Sequence, residues 1–226
     1  MKIIALDTST EYCSIALWRD GEVISRCELV GQKHSEVLMP MLDKMLRELD
    51  VTVSHLDGIA FGIGPGSFTG VRIACGVTQG LALGANLPVV GVCTLEALAE
   101  GAGKTRVIAA LDARMGEIYH AAYIKNDEVW MTESEPSLCN PEDAPRLDGN
   151  DWFGVGSGFA IHGEQLGLRY ASNLEGFDEI AIPQAAAIAM LGASRFAAGA
   201  GADAAQALPL YLRNKVALKI SEREAR

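Results

Sequence analysis

The stretch from residue 57 to residue 92 restricts the possible folds more than any other part of the chain. An apolar run at 57–63 leads into the glycine-rich sequence GIGPGSFTGVR (residues 62–72), and helical spacing of apolar residues continues to about residue 83. A second apolar run follows at 88–92. Because a strand, a tight turn, a helix and a strand in this order form a right-handed crossover with parallel strands, the sequence predicts an α/β fold.

The residues before this crossover predict a meander and a helix. Apolar runs at 2–6, 13–18 and 23–29 are typical of short strands, and the turn Asp20-Gly21 separates the last two. Apolar residues at helical spacing predict a helix over residues 36–49. We therefore expect the chain to begin with three antiparallel strands and a helix.

The residues after the crossover predict a second unit. A short helix at 94–99 is followed by a second hairpin, with strands at 106–111 and 118–124. Residues 133–151 are rich in Pro, Asp and Glu and predict an irregular surface stretch. A strand is predicted at 152–155, and beyond it an alanine-rich helix at 183–198.

Both halves begin with a β-hairpin that has an aspartate at its turn side, which indicates two related subdomains. We expect residues 1–104, with the C-terminal segment 207–226, to form the first subdomain. Residues 105–206 are expected to form the second, smaller one.

The composition excludes several functional classes. With 49% hydrophobic and 21% charged residues, the chain of 226 residues is not globally disordered. Its 19 Lys+Arg and 29 Asp+Glu give a net charge of -10, which disfavours sequence-independent binding to nucleic acid. The five cysteines are odd in number and form no Cys-x-x-Cys pair, so we expect a reducing cytoplasm. Neither a signal peptide nor a transmembrane helix is predicted.

The glycine-rich turn is a candidate anion site, with Gly64, Gly66 and Ser67 as its candidate residues. It matches no named motif, because it lacks the lysine of a Walker A loop and misses the dinucleotide fingerprint by one residue. Pro65 and Thr69 stand where a nucleophile elbow requires glycine. A tight structural turn with a helix cap is an equally good interpretation.

The aspartate turn after the first strand is a further candidate for binding a metal ion or a phosphate. Asp7 and Thr8 follow the first strand, where a carboxylate and hydroxyl groups can hold Mg²⁺ and phosphate. Asp112 occupies the matching place in the second half. An ordinary Asp/Ser/Thr turn is the simpler explanation. The four histidines are isolated in the sequence, so no metal site is expected.

The helix after the glycine-rich turn carries glycine at every fourth position, at Gly76, Gly80 and Gly84. A glycine inside a helix costs about 1 kcal/mol relative to alanine, so close approach of another helix is the usual compensation. On sequence alone, the chain's own helix at 36–49 is favoured as the neighbour. Another subunit is the alternative.

Five segments together resemble one family, and the resemblance covers nearly the whole chain. They are DTST at 7–10, HSE at 34–36, GPGSFTGVR at 64–72, LDARMGE at 111–117 and LYLR at 210–213. In these segments the chain is similar to the TsaB family, also called YeaZ. The resemblance implies an actin-like ATPase fold of two ribonuclease-H-like subdomains, the second reduced.

The resemblance also implies a role in forming threonylcarbamoyladenosine in tRNA. The implied partners are the transferase subunit TsaD, in a heterodimer, and the small ATPase TsaE, with tRNA bound indirectly through the complex. A homodimer is implied when the chain is alone. No membrane contact and no cofactor are expected. The basic residues near the C-terminus are candidates for assisting the tRNA contact, although a solvated helix end is the simpler explanation: Arg213, Lys215, Lys219, Arg223 and Arg226.

The resemblance implies a non-catalytic subunit, because the positions of the metal-binding histidine pair of TsaD are occupied here by Thr94 and Leu98. No catalytic or metal-binding residue is therefore assigned. In the family, two helices of the first subdomain pack against TsaD. Carried over, this makes five residues candidates for the partner interface: Met41, Met45, Arg72, Gly76 and Gly80. Six residues are interpreted as degenerate nucleotide-type turns: Asp7, Thr8, Gly64, Gly66, Ser67 and Asp112.

The competing hypothesis is an enzyme of the same fold. A nucleotide-dependent phosphotransferase or ATPase would use Asp7 together with the turns at Asp112 and Gly156. Such an enzyme needs two complete nucleotide-binding lobes, and the part after residue 105 is expected to be too short for a complete second one.

Overall fold

The structure is a computed structural model that describes residues 1–213. It contains ten strands and five helices of at least eight residues, in two units. The strands of the first unit are β1 (Lys2–Asp7), β2 (Tyr12–Arg19), β3 (Glu22–Leu29), β4 (Gly58–Gly64) and β5 (Val89–Cys93). Those of the second are β6 (Arg106–Asp112), β7 (Ile118–Asn126), β8 (Val129–Cys139), β9 (Trp152–Val155) and β10 (Leu174–Asp178). The helices are α1 (His34–Glu48), α2 (Phe68–Ala85), α3 (Thr94–Gly101), α4 (Ser157–Arg169) and α5 (Ala185–Ala197).

The two sheets have the same topology. The first has the order β3-β2-β1-β4-β5, with β1, β2 and β3 antiparallel and β1, β4 and β5 parallel. The second repeats this as β8-β7-β6-β9-β10, with the same directions. The predicted hairpins, the crossover and the α/β class are confirmed. Two such sheets are the ribonuclease-H-like units of an actin-like fold.

The second unit has more regular structure than the sequence predicts. Strand β8 occupies the first part of the stretch expected to be irregular, so that prediction is wrong for residues 133–139. This strand is an edge strand with mostly exposed or half-buried side chains, and it pairs through its backbone with β7. A strand held in this way has only weak hydrophobic alternation in its sequence, so the sequence gives little sign of it. Helix α4 and strand β10 were not predicted either.

The second sheet therefore has all five strands of the first. The second unit is smaller because it lacks one helix that the first unit has. Between β8 and β9 the chain forms only a three-residue 3₁₀ turn, Pro141–Asp143. The corresponding connection of the first unit, between β3 and β4, contains helix α1.

Helices α3 and α5 each pack on the sheet of the other half of the chain. Ile188 and Ala189 of α5 lie in the same buried cluster as Ile3 and Ala60 of the first sheet. Helix α3 packs against β6 and β7 of the second sheet. Helix α5 thus lies on the first unit, although the sequence-based division placed residues 105–206 in the second. Small side chains allow this approach, since the alanine-rich α5 also brings Gly192 against Ala60.

Helices α1 and α2 cover the other face of the first sheet, on a core that contains Leu38, Leu42, Val71 and Phe61. This arrangement leaves the outer faces of α1 and α2 at the surface. None of the helices within residues 1–213 has the length and apolar character that a membrane span requires. Four of the basic residues named above lie outside the described residues: Lys215, Lys219, Arg223 and Arg226.

Candidate functional site

A cleft of about 840 Å³ lies between the two units. Ser9 and Thr10 line it from the β1–β2 turn, and the glycine-rich turn before α2 forms the adjoining wall. The opposite wall is the β6–β7 turn with Asp112, and residues 210–213 cross the cleft. In a nucleotide-dependent enzyme of this fold, the chemistry would have to take place here.

Asp7 does not reach this cleft. Its side chain is 1% exposed, and its Oδ1 accepts hydrogen bonds from the Ser9 N–H at 3.1 Å and the Ser9 hydroxyl at 2.8 Å. Its Oδ2 packs against Gly62, where a Cβ atom would clash with it, and has no partner among the described residues. Burial raises the pKa of Asp7 to about 7. This carboxyl group is therefore badly placed to hold Mg²⁺ in the cleft.

The glycine-rich turn packs against the β1–β2 turn. A Cβ atom at Gly66 would clash with the Ser9 carbonyl oxygen, and one at Gly70 with the Thr8 carbonyl oxygen. The Ser67 N–H donates to the Ser9 carbonyl at 2.7 Å, and the Thr8 hydroxyl donates to the Gly70 carbonyl at 2.7 Å. The Ser67 hydroxyl oxygen caps α2 by accepting from the Gly70 N–H at 3.3 Å. These contacts favour the structural turn over the anion site.

Gly64 has a φ of 94°, a left-handed conformation that glycine adopts without strain. The turn at Gly156 also serves packing, because Cβ atoms at Gly156 and Gly158 would press on the Ala110 backbone. Backbone conformation and packing within the chain thus explain the glycines of both turns that a nucleotide would need, the one before α2 and the one at Gly156.

Asp112 lies at the cleft, and its carboxylate is held by its own turn. Oδ1 accepts from the Arg114 N–H at 3.0 Å, and Oδ2 is 3.1 Å from the Arg114 guanidinium. His162 Nε2 is 3.7 Å from Oδ1. Within residues 1–213, no three His, Cys, Asp or Glu side chains group closely enough to hold a metal ion. Neither position of the expected histidine pair offers a metal ligand to the cleft. Thr94 is buried and its hydroxyl donates to the Pro65 carbonyl, while Leu98 packs in the core of the second unit.

The glycine ridge of α2, formed by Gly76, Gly80 and Gly84, lies open at the surface. All three residues are exposed, and a Cβ atom added at any of them would have no heavy atom of another element within 4 Å among residues 1–213. The interpretation that α1 fills this groove is therefore wrong. Helices α1 and α2 instead lie side by side on the sheet.

Met41 and Met45, on α1, face the core instead of the surface. They are 6% and 0% exposed and belong to the core between α1, α2 and the first sheet. Their burial contradicts the expectation that these two side chains meet a partner. Alternation between faces of a helix is visible in the sequence, but which face the sheet covers is decided by packing.

Arg72 is exposed, and its guanidinium packs against two aromatic rings. Its guanidinium carbon lies 3.2 Å from the ring centroid of Phe68 and 4.8 Å from that of Tyr211. Both rings are about half exposed and lie at the mouth of the cleft. Sequence reasoning identified Arg72 but missed Phe68 and Tyr211. The spacing of four residues between Phe68 and Arg72 could have signalled the first contact, whereas Tyr211 is brought there only by the fold.

Comparison with known proteins shows one consistent relationship. Residues 26–220 match the family model described as TsaD, tRNA N6-adenosine threonylcarbamoyltransferase. The chain is 40% identical to the tRNA threonylcarbamoyladenosine biosynthesis protein TsaB of Escherichia coli K12, over 97% of each chain. It is 36% identical to the protein of the same name from Haemophilus influenzae, over 97% of this chain and 96% of the relative. The solved structure of YeaZ from Pseudomonas aeruginosa is 40% identical and superposes with a TM-score of 0.87, covering 93% of this chain and 99% of that one.

Proposed function

The chain belongs to the TsaB family, whose relatives are named for tRNA threonylcarbamoyladenosine biosynthesis, and we propose that it serves this modification as a non-catalytic subunit that docks onto TsaD through α2. TsaE and, in isolation, a second copy of the chain are the further proposed partners. The net charge of -10 fits a subunit that contacts tRNA only through the complex. We place this complex in the cytoplasm.

The observation that carries the proposal is the open glycine ridge. Each interior helical glycine costs about 1 kcal/mol relative to alanine. Close packing within the chain explains Gly66 and Gly70, but no contact of the described residues explains Gly76, Gly80 or Gly84. A groove without side chains lets the backbone of a partner helix approach closely, which offsets this cost once the partner is bound.

The competing function, a nucleotide-dependent phosphotransferase or ATPase, is supported by the cleft of about 840 Å³ between two complete sheets. The burial of Asp7 and the internal hydrogen bonds of the glycine-rich turn argue against it. Micromolar ATP affinity of the isolated chain, lost in Asp112→Ala, would favour the enzyme.

The first prediction concerns docking. Gly80→Leu fills the ridge with a branched side chain, so we expect affinity for TsaD to fall at least tenfold. Binding is measured by titration calorimetry, and threonylcarbamoyladenosine formation is measured in a reconstituted system. The circular dichroism spectrum should stay that of the parent chain.

Gly167→Leu is the matched control. Gly167 is also a helical glycine whose added Cβ would meet no other element of the described chain within 4 Å, but it lies on α4 in the second unit. We expect this variant to bind TsaD normally. Equal affinity of both variants and the parent chain would refute docking through α2.

A further inference from the structure

Arg72 lies beside the cleft and differs from the two arginines that line it in how its charge is satisfied. Arg114 pairs with Asp112 at 3.1 Å, and Arg213 pairs with Glu117 at 2.7 Å. The ion pairs found among residues 1–213 do not include Arg72. On a chain of net charge -10, this is a basic side chain whose neighbours are aromatic instead of acidic.

Packing on the rings and one hydrogen bond orient the guanidinium and leave most of its N–H groups unused. A ring beneath the guanidinium plane attracts the cation through its π face, and the five N–H donors lie in the guanidinium plane. One of them, on Nη1, donates to the Phe68 carbonyl at 2.9 Å. The others have no acceptor among the described residues. A stacked guanidinium with free in-plane donors is preorganised to bind a planar, two-oxygen anion.

The location of Arg72 indicates the source of this anion. Phe68, Arg72, Gly76 and Gly80 follow each other at intervals of four residues, so Arg72 stands at the N-terminal end of the glycine ridge on the same face of α2. From residue 73 to residue 85 this helix has no charged side chain. A helix lying along the ridge would therefore meet no charge of α2 after the cation of Arg72.

We infer that Arg72, held against Phe68 and Tyr211, binds a carboxylate of the partner subunit and thereby sets the register of the partner helix along the ridge. The inference rests on the proposed docking through α2. A protein carboxylate is favoured over a nucleic-acid phosphate, because a nucleic acid brings a run of phosphates that the acidic chain repels, whereas one carboxylate needs only one cation. A salt bridge at the end of an apolar groove restricts sliding of the partner helix by one turn, which an uncharged groove alone tolerates.

The test measures TsaD binding to Arg72 variants at low and high salt. We expect Arg72→Ala to lower the affinity at least tenfold and to reduce its salt dependence, since a charge pair is lost. Arg72→Lys keeps the charge but cannot bind a carboxylate in bidentate fashion or stack as well, so it should recover only part of the affinity. Tyr211→Leu removes one of the two rings and should bind more weakly. Arg146→Ala, an exposed arginine of the second unit, is the matched control.

A double-mutant cycle identifies the carboxylate. Each Asp and Glu on the TsaD surface that docks is changed to Ala, with Arg72 and with Ala at position 72. We expect one carboxylate whose loss has no further effect once Arg72 is removed. If Gly80→Leu abolishes binding while Arg72→Ala leaves it unchanged, the inference fails and the proposed function stands. If Arg72→Ala leaves TsaD binding intact but weakens retention of tRNA by the complex, the anion is a phosphate and the inference is overturned.

Discussion

Two buried ionisable side chains, Asp7 and His120, have opposite effects on stability as pH changes. Burial raises the pKa of Asp7 from 3.8 to about 7 and lowers the pKa of His120 from 6.5 to about 4. His120 is fully buried, with Nε2 2.8 Å from the Tyr170 hydroxyl, which donates to the Pro145 carbonyl at 2.9 Å. Both groups are neutral in the folded chain between pH 4 and 7, which suits their apolar surroundings.

The signs follow from which state holds the proton. Between pH 4 and 7 the unfolded chain has lost the Asp7 proton and the folded chain retains it. Asp7 therefore makes the free energy of unfolding fall as pH rises. This fall ends above pH 7, where Asp7 is ionised in the folded chain as well. Between pH 4 and 6.5 the unfolded chain binds a proton on His120 and the folded chain does not. His120 therefore makes the free energy of unfolding rise with pH in that window.

We predict that the contributions of Asp7 and His120 to the pH dependence of the free energy of unfolding nearly cancel in the parent chain. In Asp7→Asn only the His120 contribution remains. The amide cannot ionise, so the free energy of unfolding of this variant should rise by roughly 2 kcal/mol from pH 4.5 to 6.5. Urea denaturation at half-unit pH intervals measures it. A variant as flat as the parent chain would show that one of the two pKa shifts is absent.

At the scale of a single element, α2 contains glycines of two kinds. Gly70 touches the Thr8 backbone and is required by the fold, whereas Gly76 and Gly80 touch nothing in the described chain. The same helix is thus optimised for packing at its N-terminus, and its outer face carries residues that lower its own stability. Such a face is expected where binding to a partner, rather than the isolated chain, determines the residue.

This difference predicts opposite effects of the same substitution. Gly80→Ala should raise the free energy of unfolding of the isolated chain by about 0.5 to 1 kcal/mol while weakening TsaD binding. Gly70→Ala should lower the free energy of unfolding by about 1 to 3 kcal/mol, because its Cβ meets backbone atoms that cannot move aside. Thermal denaturation and titration calorimetry measure both effects.

Gly167→Ala provides the control for the first substitution. It should stabilise the isolated chain to a similar extent and leave TsaD binding unchanged, since Gly167 lies on α4. If Gly80→Ala destabilised the isolated chain, the ridge would have a packing role that the described contacts do not contain.

At the scale of the whole molecule, residues 207–213 tie the two units together. Ala207 is buried in the core of the first unit, and the Leu210 N–H donates to the Ile63 carbonyl at 2.8 Å. Arg213 then reaches the second unit, where it pairs with Glu117 at 2.7 Å and donates to the Ala113 carbonyl at 3.0 Å. Tyr211, between these anchors, is the residue that stacks on Arg72.

We predict that Arg213→Ala loosens this connection. The free energy of unfolding should fall by about 1 kcal/mol, since Arg213 and Glu117 are only partly exposed and a charge-assisted hydrogen bond is lost as well. Hydrogen exchange of the Leu210 amide should accelerate by more than that of the β4 amides. Arg47→Ala removes a well-exposed ion pair with Asp43 and should change neither quantity. Unchanged exchange at Leu210 in Arg213→Ala would show that the segment is held from elsewhere.

Local patterns in the sequence determined the α/β class, the two hairpins, the crossover and the alanine-rich helix near residues 185–197. These depend on spacing and turn chemistry, which act over a few residues and can be read without knowing the neighbours. The sequence does not predict edge strand β8, because backbone pairing holds it in the sheet and no alternation of apolar and polar residues marks it. The resemblance of five short segments identified the family, but it did not say which side chains face outward.

Only the tertiary structure decided the rest. It turned Met41 and Met45 into the core, left Gly76 and Gly80 open, buried Asp7 behind the turn and brought Tyr211 onto Arg72. Each of these outcomes depends on contacts between residues far apart in the chain. Periodicity tells which residues share a face of a helix, but the face that is buried is chosen by the surface it packs against.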